Sequence, residues 1–176
     1  FADCFIPLFK AHPEVSDVVL CDLDAAKLKA KSTQHGLPRT CPSLDELCQT
    51  DLDAIAIFSQ NWKHGPQAVQ ALRAGKHVYC EHPLGINTQQ AREMYELARA
   101  KNVRTAVGHE YHYEPAALQM AEMVRDGYIG KPLSFNITYF HSAYISPRPG
   151  HRQWLFEAAR GGHPAYRSGQ SLDRVI

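Results

Sequence analysis

Apolar runs of strand length alternate with amphipathic stretches along the first 127 residues, the pattern of a doubly wound parallel sheet with helices on both faces. Residues 18–21 predict a short buried strand ending at Asp22, and residues 52–58, rich in Ile and Ala, predict a second. Residues 78–80 and 103–107 predict a third and a fourth. Asp24 is placed to cap a helix that runs through about Gln34 and ends at Gly36. Ala68, Ala71 and Leu72 form the inner stripe of the next helix, which Gly75 stops. Asn87-x-x-Gln90 opens another in the manner of a capping box, with Ala91, Met94, Tyr95 and Ala98 on one face. Pro115 opens the last, through about Asp126, and Gly127 ends it.

The pattern changes at Lys131-Pro132, where residues 133–141 predict a longer alternating strand with Phe135, Ile137 and Tyr139 on one face. A domain boundary is expected there, with residues 1–131 forming the nucleotide-binding domain and residues 132–176 the beginning of a second. Residues 144–162, rich in Pro, Arg, Gly and aromatic side chains without a clear period, are expected to form an ordered loop over a site. Arg152 and Trp154 in that loop fit a binding role or a structural one equally well.

Composition narrows the function. With 176 residues, 44% apolar and 21% charged, the chain can bury a real core. Its formal charge of +1 and the lack of a basic cluster imply neither nucleic acid nor an anionic membrane as partner, leaving a small molecule. No apolar run approaches the roughly 20 residues of a membrane span, and no basic-then-apolar leader precedes Phe1, so a cytoplasmic protein is expected. The five cysteines are odd in number and lack any Cys-x-x-Cys pair, which reads as reduced thiols rather than a disulfide framework or zinc site. His109-Glu110-Tyr111-His112 lacks the spacing of a helical His-Glu-x-x-His site, and no metal is expected. The chain opens in what reads as a helix, without the strand and Gly-rich turn of a dinucleotide-binding unit, and stops at 172–176 without a terminus signal. A fragment of a chain about twice as long is the expectation.

Asp22, at the carboxyl end of a predicted strand, is placed to accept hydrogen bonds from both hydroxyls of an adenosine ribose and to repel a 2′-phosphate. No Arg or Ser-Arg pair follows it, which favours NAD over NADP. The competing reading is that Asp22 only caps the next turn.

Several further segments fall in one order. They are Asp17 to Asp22, Leu52 to Ile57, Ser59-Gln60-Asn61-Trp62-Lys63-His64, Ala71 to Val78, Glu81-His82-Pro83, Val107-Gly108-His109-Glu110-Tyr111-His112-Tyr113, and Gly127 to Pro132. In that order they resemble the glucose-fructose oxidoreductase / inositol dehydrogenase (Gfo/Idh/MocA) family. The resemblance implies a Rossmann-like α/β domain joined to an α+β substrate domain with a mostly antiparallel open sheet, and assembly as a homodimer or homotetramer. It places Ser59, Asn61 and His64 along the nicotinamide half of the cofactor and Glu81 at its ribose. Pro83 would follow a cis peptide that sets residue 82. Glu110, where the family has Asn, joins His82 on the cofactor side, and His112 stands where the family has Arg; Tyr113 joins the substrate side.

The catalytic positions depart from the family. Its Glu-Lys-Pro lysine is His82 here, and Gly161 and Gly162 open a segment in which Arg167 replaces the family's aspartate and Ser171 its histidine. Three explanations compete. In a rebuilt site, His82 or His163 is the acid/base and Arg167 binds an anionic sugar bidentately, with Arg152, Trp154 and Ser171 on the substrate. Alternatively, the fold binds NAD or sugar as a regulator, or bound NAD cycles internally to support glycoside hydrolysis or elimination. The leading expectation is an NAD-dependent oxidoreductase acting on a sugar, cyclitol or related polyol.

Overall fold

The computed structural model describes residues 2–136, 138, 157–160 and 162. Helix α1 spans Ala2–Ala11, and strand β1, Leu20–Cys21, pairs in parallel with β2, Thr40–Cys41. Helix α2, Ala25–His35, makes the crossover between them. After the short helix α3, Leu44–Cys48, the strands β3 (Ala54–Ile57), β4 (His77–Glu81) and β5 (Thr105–Gly108) form a second parallel ladder in the order β3-β4-β5. Helices α4 (Asn61–Arg73) and α5 (Thr88–Lys101) connect them. Beyond β5 come a 3-10 turn, Glu110–Tyr113, and helix α6, Pro115–Arg125.

The core lies between the second ladder and its two crossover helices. Ile55, Ile57, Val78 and Cys80 on the strands are buried, as are Ala68, Ala71 and Leu72 on α4 and Met94 and Ala98 on α5. Alanines at 68 and 71 let α4 lie close to the sheet, so that Leu72 is 1% exposed. Complete burial of a leucine contributes about 1.5–3 kcal/mol.

The punctuation residues act as their chemistry dictates. The Asp24 carboxylate accepts from the Lys27 amide at 3.0 Å, and Gly36 closes α2 at φ +62°. The Asn87 side chain accepts from the Gln90 amide at 2.9 Å. Pro115 opens α6 in its first turn, where a missing N–H costs nothing.

Elsewhere the structure differs from the pattern. The first two predicted strands are shorter, the third runs one residue further at each end, and the fourth is shifted by one or two residues. β2 and α3 were not expected: two strand residues show no period, although Ser43 does cap α3 through the Glu46 amide at 3.2 Å. Tyr95 is not on the inner face of α5. It is 62% exposed beneath Arg99, whose guanidinium carbon is 5.7 Å from the ring centre, while Leu97 packs on the core. Residues 133–136 form no strand, and Leu133 and Phe135 are exposed, with no strand beside them among the described residues. Ile137 and Tyr139 lie outside the described residues, as does most of the expected second domain.

Candidate functional site

The carboxyl ends of β3, β4 and β5 form one edge of the second ladder, and open α/β sheets place their ligands at such an edge. Three segments bring side chains to it: Ser59 and Asn61 after β3, Glu81 and His82 at the end of β4, and His109 and Glu110 after β5; Asp22 stands at the carboxyl end of β1, in the first ladder.

Glu81 is 9% exposed. One carboxylate oxygen accepts from the Tyr79 hydroxyl at 2.9 Å, and the other from the His82 amide at 3.2 Å. Gly108, opposite Glu81 in the β4–β5 register, makes this burial possible: a Cβ there would lie 2.2 Å from Glu81 Oε1 and 2.7 Å from the Tyr79 hydroxyl. Burial pushes the Glu81 carboxyl above its ordinary range; the Tyr79 hydrogen bond pulls down, and the neighbouring Glu110 charge pushes up again. Burial also raises the Tyr79 phenol, and its bond to Glu81 adds to the shift.

His64 is 1% exposed and ties two loops of the edge together. Its Nδ1 lies 2.7 Å from the Pro83 carbonyl oxygen and its Nε2 3.0 Å from that of Ser59. The His82–Pro83 peptide is cis. The His82 ring meets the His109 ring edge-on, with centres 5.0 Å apart.

Two buried polar atoms at this edge have no hydrogen-bond partner: Nδ2 of Asn61, a donor, and Oε2 of Glu110, an acceptor. Leaving such a group unsatisfied costs about 1–3 kcal/mol, which a polar ligand recovers. The set fits a nicotinamide cofactor in that it offers an orphan donor and an orphan acceptor at the carboxyl edge of the ladder. Ser59 is already engaged, donating its hydroxyl to Gln67 Oε1 at 2.5 Å.

Asp22 directly follows β1, with its carboxylate in use. It pairs with Lys27 and accepts from the Asp24 amide at 3.1 Å, so the turn-capping role is real. Burial raises this carboxyl, but the Lys27 hydrogen bond, the Asp24 amide and the charges of Lys27 and Lys63 outweigh it, and the net shift is downward. Tyr113 is 72% exposed, with His112 edge-on to its ring at 5.2 Å.

The expected Arg152, Trp154, His163, Arg167 and Ser171 lie outside the described residues. Sequence reasoning missed three participants. Tyr79 shares the Glu81 face of β4 by strand alternation, a signal that was available. Gly108 carries no local signal, because nothing in Val107-Gly108-His109 itself asks for a glycine. Arg160 lies over the Trp62 ring at 5.1 Å and pairs with Glu157 at 3.0 Å, bringing the short 3-10 turn Ala158–Arg160 onto the first turn of α4. Among the described residues no group of three or more His, Cys, Asp or Glu is arranged to hold a metal. All five cysteines are free.

The sequence matches the family described as "Oxidoreductase family, NAD-binding Rossmann fold" over residues 1–109. It is 33% identical over 147 residues to 1,5-anhydro-D-fructose reductase of Ensifer adhaerens, covering 82% of this chain and 43% of that protein. Over 137 residues it is 28% identical to inositol 2-dehydrogenase/D-chiro-inositol 3-dehydrogenase of Lactiplantibacillus plantarum, covering 76% of this chain and 39% of that protein. The crystal structure of an NAD binding oxidoreductase from Klebsiella pneumoniae superposes with a TM-score of 0.78 at 32% identity, over 92% of this chain and 44% of that one. The chain thus spans less than half the length of each of these relatives.

Proposed function

Because the chain belongs to the Gfo/Idh/MocA oxidoreductase family with its NAD-binding Rossmann fold, we propose that it is the nucleotide-binding part of an NAD-dependent oxidoreductase acting on a sugar, cyclitol or related polyol. The observation that carries this reading is the convergence of Asn61, Glu81, His82 and Glu110 on one sheet edge, with two buried polar atoms left for a ligand. The sugar and cyclitol in the relatives' names support the substrate class.

Asp22 would hold the adenosine ribose after exchanging Lys27 for the hydroxyls, and its charge favours NAD over NADP. Ser59, Asn61, His64, Glu81 and Glu110 would frame the nicotinamide half. When bound, the nicotinamide supplies hydride transfer to or from a carbinol carbon. His82 would take the hydroxyl proton as that carbon becomes a carbonyl, since imidazole titrates near neutrality and stands at the end of β4. His163 would serve as the second acid/base, Arg167 would pair with an anionic sugar, and Tyr113, Arg152, Trp154 and Ser171 would line the substrate side. The division at residues 131/132, homodimeric or homotetrameric assembly and a cytoplasmic location belong to the same proposal.

The replacement of the family's lysine by His82 supports a second reading, in which NAD is bound for regulation without turnover. One experiment separates them. The full-length protein is titrated with NADH by fluorescence and assayed with NAD+ against a panel of sugars and cyclitols. His82→Ala should lower turnover on the order of 10²–10⁴-fold with NADH affinity nearly intact. NADH binding with no turnover on any substrate favours regulation, and no NADH binding overturns both.

A further inference from the structure

We propose that Gln90 is a positioning residue for His82, holding the loop from His82 to Asn87 through a carboxamide seated between two glycines. The inference rests on the reading of His82 as the proton acceptor.

Gly65 in α4 and Gly85 in the loop face the same object. A Cβ on Gly65 would lie 2.5 Å from Gln90 Oε1 and 2.8 Å from its Cδ; one on Gly85 would lie 2.7 Å from Oε1 and 3.0 Å from the Gln90 Cβ. Neither glycine has a positive φ, so neither is required by its backbone conformation. With Gln90 where it stands, each leaves space that this one side chain fills.

Gln90 Oε1 accepts from the Ile86 amide at 3.0 Å. A simple capping box would send this side chain to the amide of the N-cap residue, Asn87. Here it reaches one residue further, into the loop. The Pro83 carbonyl is held from the other side by His64 at 2.7 Å, and the His82 amide by Glu81 at 3.2 Å. The loop is therefore fixed at three points, from α4, α5 and β4, and His82 lies at its start. Proton transfer needs its acceptor within hydrogen-bond reach, and a displacement of about 1 Å can cost about 10²-fold in rate.

The test uses the full-length protein with four variants. Gln90→Leu removes the acceptor but keeps the bulk, while Gln90→Glu keeps an acceptor at the same reach. Gly85→Ala pushes the carboxamide away without touching Gln90, and remains informative if Gln90→Leu fails to fold. Asn87→Ala removes the cap of α5 but not the Ile86 bond. The readouts are the His82 ring signals and Ile86 amide exchange by NMR, the NADH dissociation constant, and the pH profile of kcat.

In Gln90→Leu and Gly85→Ala, Ile86 exchange should rise by about tenfold or more, the His82 ring signals should move, and the pH profile should shift with NADH affinity within about twofold. Gln90→Glu should restore wild-type behaviour, and Asn87→Ala should leave the His82 ring unmoved. Unmoved His82 signals in the folded Gln90→Leu protein, or equal movement in Asn87→Ala, would overturn the inference. Loss of NADH binding by the wild-type protein would instead count against the proposed function, leaving the Ile86 and His82 signals to judge the positioning role.

Discussion

At the scale of single residues, the site is built from close approaches that only glycine permits. The Glu81 carboxylate reaches its buried place between Tyr79 and His82 because Gly108 has no side chain, and the atoms in the way of a Cβ are the carboxylate itself and a phenol it holds. The φ of Gly108 is not in the left-handed region, so alanine there meets a steric obstacle and no backbone one. Gly108→Ala should cost about 1–3 kcal/mol in a urea melt, the usual cost of overpacking. It should also weaken NADH binding, because Glu81 must turn away from the edge. A variant as stable as wild type would mean that Glu81 moves aside without loss, and its burial would then have no role in holding the loop.

At the scale of elements, ends were more legible than middles. Asp24, Gly36, Asn87 and Pro115 each satisfy or omit a backbone group by local chemistry, and local chemistry is readable from sequence. The facing of Tyr95 was not, since period alone admits it to the inner stripe and only packing against the sheet chooses Leu97 instead. Nor was the link between α1 and α2. Asp3 on α1 accepts from Lys31 at 2.7 Å and lies 2.8 Å from His35 Nε2, two α2 residues 28 and 32 positions away. The hydrogen bonds of Lys31 and His35 lower the Asp3 carboxyl from 3.8 to about 2. A carboxyl depressed on folding lends stability above its unfolded value and loses it as pH falls through the folded one. Urea midpoints measured between pH 5 and pH 2 should therefore fall less steeply for Asp3→Asn than for wild type, with the difference arising below about pH 3.8. Parallel curves would show that the pair does not contribute.

At the scale of the whole molecule, the parallel order was readable because alternating strands and helices have few ways to pack. The site was readable only in outline. Asn61, His64, Glu81 and Glu110 stand at the carboxyl edge of the second ladder or in its supporting loops, and Asp22 follows β1 of the first. The His64 contact with Pro83 spans 19 positions, while Glu81 and Asp22 are bonded to near neighbours, Tyr79 and Lys27, whose pairing no sequence pattern specifies. Asp22 shows the consequence. Its carboxylate is held by Lys27, so under the proposed role a ribose would exchange one partner for another, and the lysine released would stand close enough to soften the rejection of a 2′-phosphate. Binding to the native state alone raises stability by about 2.7 kcal/mol at a hundredfold excess over Kd. Equal concentrations of NADH and NADPH should thus raise the melting temperature unequally, with NADH ahead, and Asp22→Ala should shrink the NADH shift while leaving or enlarging that of NADPH. Equal shifts in wild type, unchanged by Asp22→Ala, would assign the choice of cofactor to residues other than Asp22.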